Sequence, residues 1–258
     1  MPNWVTNYFI EVKQPAKLES FIMNKDNEVD FNIISPMPKS LNLFSGDDKL
    51  ETKQYYQYVN QAKTFEEYID IINKTFKYNL QIMDDYDKLP KNDIKLMKIY
   101  KEVYTTWNFL NYGYRGWYDW RRANWGCKWN ACDTSGLSFQ TPWAVPYHWL
   151  KQLTQKCNFV LIYADEDIGS NCGIIEAKDG IINIYNSPYV TDASTVFAYC
   201  VQCYEISEQE FYDNDGNIDE NKGKYLEEHK YELLEQFCKE IGCLNIYKRI
   251  KKDLVSCW

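Results

Sequence analysis

Hydrophobic and polar residues alternate from residue 3 to 13, in NWVTNYFIEVK, and place Trp4, Tyr8, Ile10 and Val12 on one face. A period of two marks a strand with one side buried, so the chain is expected to open on a β-strand at the centre of a sheet. Residues 15–24, PAKLESFIMN, begin with the proline that suits a first helical turn. The following DFNIISPMPKSL carries two prolines and is read as an extended surface segment.

The period then changes. Thr64-Phe-Glu-Glu67 has the spacing of a capping box, and it opens a helix whose inward stripe is Phe65, Tyr68, Ile69, Ile72 and Phe76. After Pro90 a second helix carries Leu96, Ile99, Val103, Trp107 and Leu110 at spacings of three and four, with Gly113 and Gly116 ending it. Period two returns in LSFQT at 137–141, and Pro146 begins a helix through Trp149, Leu150 and Leu153. FVLIY at 159–163 is apolar throughout, as a strand buried on both faces requires. GIIEAK and IINIY flank Asp179-Gly180, a strong two-residue hairpin signal. VFAYCVQCYEI, 196–206, reads as another strand, and a helix from about 223 to 241 points Leu226, Leu233, Leu234, Phe237, Cys238 and Ile241 inward.

Without the two central helices the order reads as βαββαβ-like, so the fold class expected is α+β: a ferredoxin-like antiparallel sheet with helices on one face. On this reading residues 1–190 form the ferredoxin-like domain, interrupted by a helical insertion at about 50–112. Residues 191–258 form an extension of strand, acidic loop and helix packed on it.

Composition changes this picture in few places. Tyr (22) and Trp (9) are abundant, and the parallel excess of Lys, Asn and Ile assigns part of that to codon bias rather than to function. The net charge of −8 argues against a surface built wholly for nucleic acid and favours a basic partner. No apolar run approaches the roughly 18 residues of a membrane span, and the first residues lack the basic-then-apolar order of a leader. Nine cysteines, an odd number, point to reduced thiols and a cytoplasmic location.

Candidate chemistry concentrates in GYRGWYDWRRANWGCKWN, residues 113–130. Aromatic faces stack on flat groups and cations hold anions; Trp and Arg also dominate protein interfaces. Arg115, Trp117, Tyr118, Trp120, Arg121, Arg122, Asn124 and Lys128 are therefore the candidate contact residues for a macromolecular partner. Trp125 and Trp129 are expected in the core, with Arg121, Arg122 and Lys128 lying outward over the rings.

No metal is expected. Cys200-x2-Cys203, Cys238-x4-Cys243 and Cys127-x4-Cys132 have zinc-like spacings, but Cys200 and Cys238 lie in apolar patterns where cysteine packs as a small hydrophobe. DNDGNID at 213–219 fails the calcium-loop pattern, because Phe211 and Lys222 would fall at the first and twelfth ligand positions. His148 and His229 are the only histidines, and Asp165-Glu166-Asp167 is a strand-ending acidic cluster. No catalytic residue and no cofactor are assigned.

One ordered set of motifs carries a family likeness: Met-Pro-Asn-Trp at the start, DFNIISPMP, WYDWRRANWGCKWNACD, then a phenylalanine strand leading to TPWAVP at 141–146. The set resembles the YubB-like, ferredoxin-like-domain proteins of phages and plasmids, with matching blocks between residues 2 and about 186. Their recurring box corresponds here to Asn124, Trp125, Gly126, Lys128, Trp129 and Asn130. Cys127 departs from it, standing where the box has threonine, and Pro142, Ala144 and Val145 alter the later turn. The resemblance implies a fold and a mobile-element setting but no reaction. The function expected is a non-enzymatic accessory protein that binds a host protein or protein–nucleic acid complex, such as a bacterial defence nuclease that it inhibits. The alternatives are a nucleic-acid or nucleotide binder, or a small nucleotide-processing enzyme, using residues 117–130.

Overall fold

The computed structural model describes residues 2–46, 53–213 and 215–256. Met1 of the opening motif, residues 50–52 at the expected start of the insertion, Asn214 in the acidic loop and Cys257 lie outside the described residues. The chain divides into two compact units, one of residues 1–35 with 125–258, the other Pro36–Asn124. The second is the insertion, which the sequence pattern marks only between about 50 and 112.

The first unit starts with strand β1 (Trp4–Val12) and helix α1 (Pro15–Ile22). In the inserted unit come α2 (Tyr56–Val59), α3 (Phe65–Phe76), α4 (Ile94–Tyr112) and α5 (Trp117–Asn124). The first unit resumes with β2 (Cys132–Ser135), β3 (Ser138–Pro142), α6 (Tyr147–Leu153), β4 (Phe159–Asp165), β5 (Cys172–Lys178) and β6 (Ile181–Asn186). It ends with α7 (Asp192–Gln202), α8 (Lys222–Glu228), α9 (Lys230–Glu240) and α10 (Leu244–Ser256).

The six strands form one sheet in the order β2-β3-β1-β4-β5-β6, and every pairing is antiparallel. The first four strands with α1 and α6 are thus a βαββαβ unit in the ferredoxin-like arrangement, and β1 is central as expected. β4 is buried along its whole length. Asp179 and Gly180 both take positive φ (52° and 81°) at the β5–β6 turn, which is the primed-turn geometry a two-residue hairpin needs.

Both sheet faces are covered. On one, the Phe9 ring meets those of Phe139 and Phe159, and Phe31 and Trp149 of α6 pack on Phe139. On the other, Ile10, Val160, Ile162 and Ile174 pack with Val196, Phe197, Phe237 and Ile250 of α7, α9 and α10. The helices within the βαββαβ order thus keep to one face, and the C-terminal extension closes the opposite one.

Four local readings are corrected. A bulge between Phe9 and Glu11 pairs Val12 with Phe159, so Val12 lies on the face opposite Tyr8 and Ile10; an extra residue inverts the alternation beyond it. The DFNIISP segment is not an extended surface: Asp30 caps a 3-10 turn, Phe31–Ile33, by accepting from the Asn32 N–H, and Phe31 is fully buried. VFAYCVQCYEI is mostly helix, not strand. Thr191 and Ser194 form a reciprocal capping box that starts α7, and Ala193, Ser194 and 196–201 are all buried. A helix packed against both a sheet and another helix is apolar all round, and periodicity cannot tell it from a buried strand. The helix expected at 223–241 is two, α8 and α9, separated at His229.

In the inserted unit the Thr64 hydroxyl accepts from Glu67 N–H while the Glu67 carboxylate reaches back to Lys63 N–H, one residue before the expected cap. Gly113, at φ +78°, ends α4 and donates to the Phe109 carbonyl. Tyr68, Ile69 and Ile72 of α3 pack with Tyr100, Val103, Tyr104 and Trp107 of α4 as a core of its own.

Candidate functional site

The tryptophan- and arginine-rich stretch splits between the two units at Asn124/Trp125, and its halves behave differently. In the inserted unit, Gly116 precedes α5 where a Cβ would meet the Phe44 carbonyl oxygen at 2.0 Å, so only glycine lets the chain pass. α5 then carries its own cation–ring pairs. The Arg121 guanidinium lies over the Trp117 ring at 5.0 Å and Arg122 over Tyr118 at 5.6 Å, both at i,i+4 spacing. Arg115 lies over Phe109 of α4 at 4.6 Å. Arg121 also donates to Asn42 Oδ1 at 3.0 Å. Arg122 is exposed, and Arg115, Trp117, Tyr118, Arg121 and Asn124 are half-buried. Trp120 is buried at 7%, which removes it from the expected contact surface: it faces inward, three residues from Trp117. Phe109, Leu110 and Tyr112 are exposed beside Gly113.

In the sheet unit, the box residues divide into a frame and a presented pair. Trp125 is buried, packs edge-on against Phe31 at 5.7 Å, and donates its indole N–H to the Ser35 carbonyl at 2.9 Å. Gly126, at φ +93°, lies where a Cβ would come within 2.9 Å of Tyr147 N. Asn130 accepts from Phe31 N and Ala131 N and donates to Asp30 Oδ1, pinning the loop at both sides. The buried Cys127 thiol donates to the Trp129 carbonyl.

Trp129 itself is half-buried, a correction to its expected core placement. Its ring lies 5.9 Å from Trp4 and 6.0 Å from Trp143, tilted against both. The Lys128 ammonium sits over the Trp129 and Trp143 rings at 4.8 and 5.1 Å. Lys128 is therefore grouped with Trp4, Trp129 and Trp143, not with the α5 arginines that stand in the other unit. Pattern reading missed this cluster because its rings come from positions 4, 129 and 143; the only sequence hint was Trp143 in a turn-rich TPWAVP.

The cluster stands where three strand ends meet. Trp4 pairs with Pro142 and Val5 with Asp165; Trp143 N donates to the Asn3 carbonyl and Glu166 N to that of Trp4. The buried Asp165 carboxylate accepts from Asn171 Nδ2 and Asp167 N, so it ends its strand as a structural group.

The opposite strand ends hold two cavities of about 210 and 420 Å³. Arg249, in the smaller, bridges Glu11 and Glu176 at 3.0 and 2.7 Å and so ties α10 to β1 and β5. Lysines 13, 17 and 156 rim the larger. Among the described residues no group of three or more His, Cys, Asp or Glu could hold a metal ion. Cys200, Cys238 and Cys243 are packed in the apolar core, where burial holds the Cys200 thiol well above its ordinary pKa. In the acidic loop Asp213 Oδ1 accepts from Asp215 N and Asn217 N, closing a tight turn. No helix among the described residues is long and apolar enough to cross a membrane.

Residues 124–196 match the family described as "Ferredoxin-like domain in Api92-like protein". The match begins at the boundary where the inserted unit ends and runs from the box through β2–β6 into α7. It supports a ferredoxin-like domain here, in agreement with the strand order. No curated protein and no solved structure matches the chain.

Proposed function

We propose that this is a non-enzymatic accessory protein of a phage or plasmid that acts by binding a host macromolecule through the α5 face, and that its target is a bacterial defence nuclease which it inhibits. The observation that carries the binding part is the row of arginines laid over rings: Arg115 on Phe109, Arg121 on Trp117, Arg122 on Tyr118. Arginine and large aromatics are the anchors of protein interfaces, because they bury much area and lose little side-chain freedom when already held. The resemblance of the ordered motifs to YubB-like proteins supports the mobile-element setting, and the net charge of −8 suits a partner with a basic surface elsewhere.

The test is capture from bacterial lysate with the full chain and with Arg121→Glu/Arg122→Glu, compared quantitatively, followed by a cleavage assay of any captured nuclease. The wild type should recover the nuclease and suppress its cleavage, and the charge-reversed variant should do neither at an unchanged melting temperature. Equal recovery by both would overturn the assignment of this face. Direct binding of labelled DNA that falls steeply with salt would replace it with the nucleic-acid reading.

A further inference from the structure

Trp143 is the most exposed tryptophan among the described residues of the sheet unit, at 48%, and its backbone has φ +61°. A bulky side chain in the left-handed region is strained, and such strain persists where the surroundings impose it. Here Ala144 N donates to the Pro142 carbonyl across Trp143, closing a three-residue turn in its rarer, strained form with positive φ at the centre. Asn171 Nδ2 holds the Trp143 carbonyl at 3.3 Å. Glycine would meet that turn without strain. The sequence instead places there the largest side chain available and leaves half of it in water, so the turn presents a ring.

What the ring would meet follows from its neighbours. Trp4, Trp129 and Trp143 stand at successive centroid separations of 5.9 and 6.0 Å. The place between Trp129 and Trp143 that a cationic ligand would take already holds the Lys128 ammonium. A ligand cation would be repelled there; a flat ring bearing a negative charge would be attracted twice, by stacking and by charge. We propose that Trp143, backed by Trp129, Trp4 and Lys128, is a stacking site for a nucleobase that carries phosphate, as a free nucleotide or as one unit of an unpaired strand. The rings stand on strand ends fixed by backbone pairing, and Asn130 locks the loop bearing Lys128 and Trp129. The site is assembled before a ligand arrives, and little order must be gained on binding.

Stacking on indole quenches its fluorescence, which gives the readout. The full chain is titrated with AMP, with adenosine and with a short single-stranded oligothymidylate, at low and moderate salt. AMP or the oligonucleotide should quench, and adenosine should bind several-fold more weakly than AMP. Trp143→Gly should weaken binding roughly five- to a hundredfold, the worth of one base stack, while its melting temperature holds or rises because glycine accepts the turn. Lys128→Gln should bring AMP down to the level of adenosine. Equal affinity for AMP and the oligonucleotide identifies the free nucleotide as ligand; binding of the oligonucleotide alone, steeply salt-dependent, identifies the strand. The assignment is overturned by absence of quenching with both, by a Trp143→Gly variant that binds as well as wild type or melts far lower, or by adenosine matching AMP. Arg121→Glu/Arg122→Glu should leave these titrations unchanged, which separates this site from the α5 face.

Discussion

Two of the places where cations lie over aromatic rings, α5 and the tryptophan cluster of the sheet unit, are built by opposite means. On α5, Arg121 covers Trp117 and Arg122 covers Tyr118, each four residues along the same helix. The pairs follow from 3.6-residue periodicity and need only that the helix form. In the sheet unit, the rings of Trp4, Trp129 and Trp143 come from three separate segments of the chain, two of them under one lysine, and one belongs to a residue at positive φ. The first arrangement is local and unstrained; the second exists only when the whole sheet has closed. Side chains that read alike in a sequence can therefore belong to a helix surface in one case and to a tertiary constellation in the other.

The largest effect that would sharpen this contrast is expected from the frame of the second cluster. Trp125→Ala removes a fully buried ring and the indole bond to Ser35, and should cost about 3–5 kcal/mol in denaturant unfolding, as for a core Trp or Phe truncation. A cost under ~1 kcal/mol would show that the frame is dispensable. Trp129→Ala should cost less, about 1–2 kcal/mol by scaling the area a half-exposed ring buries, so the two box tryptophans should differ clearly in the same assay.

A graded effect should appear in alkali. Burial pushes the Cys172 thiol up to about 12 and that of Cys132 to about 11, from an ordinary value of 9.0. Their folded values exceed their unfolded ones, so the stabilisation is complete below about pH 9 and is lost as pH rises towards 11–12. In the inserted unit the corresponding groups are Tyr55, Tyr68 and Tyr104, all raised by burial from an ordinary 10.0, Tyr104 to about 12, so loss there should begin about one pH unit later. Unfolding followed by amide exchange between pH 8 and 11 should show the sheet unit weakening first; simultaneous loss would contradict the contrast. Smallest of all, Arg121→Glu/Arg122→Glu should change stability by less than ~1 kcal/mol, since partly exposed charges contribute little. A larger loss by thermal melting would mean that the α5 arginines hold the unit together rather than face a partner.

The same contrast explains what the sequence made legible. The strand pattern at 159–163, the Asp179-Gly180 turn, the Thr64 cap and the Gly113 stop were all readable, because each depends on neighbours within a few residues. From them came the ferredoxin-like order and the central β1. VFAYCVQCYEI misled because a helix buried on nearly all sides loses its polar face, and Phe31 misled because its flanking prolines resemble a surface segment. In the candidate stretch, the cation–ring pairs of α5 follow the four-residue spacing of Trp117 to Arg121 and Tyr118 to Arg122. Trp129 was placed in the core because nothing local distinguishes it from Trp125; only the approach of Trp4 and Trp143 does.

The bond from the Trp125 indole to the Ser35 carbonyl joins the last residue before the inserted unit to the first one after it. Departure and return are therefore adjacent doorposts, and the chain between them behaves as a closed loop anchored at one hinge line. Lengthening or replacing such a loop changes its closure entropy only logarithmically, and the host sheet keeps its own contacts whatever the loop contains. Such an insert has the connectivity of an exchangeable cassette: residues 36–124 leave and re-enter the sheet unit at neighbouring positions, so their replacement need not alter the β-framework or its tryptophan cluster.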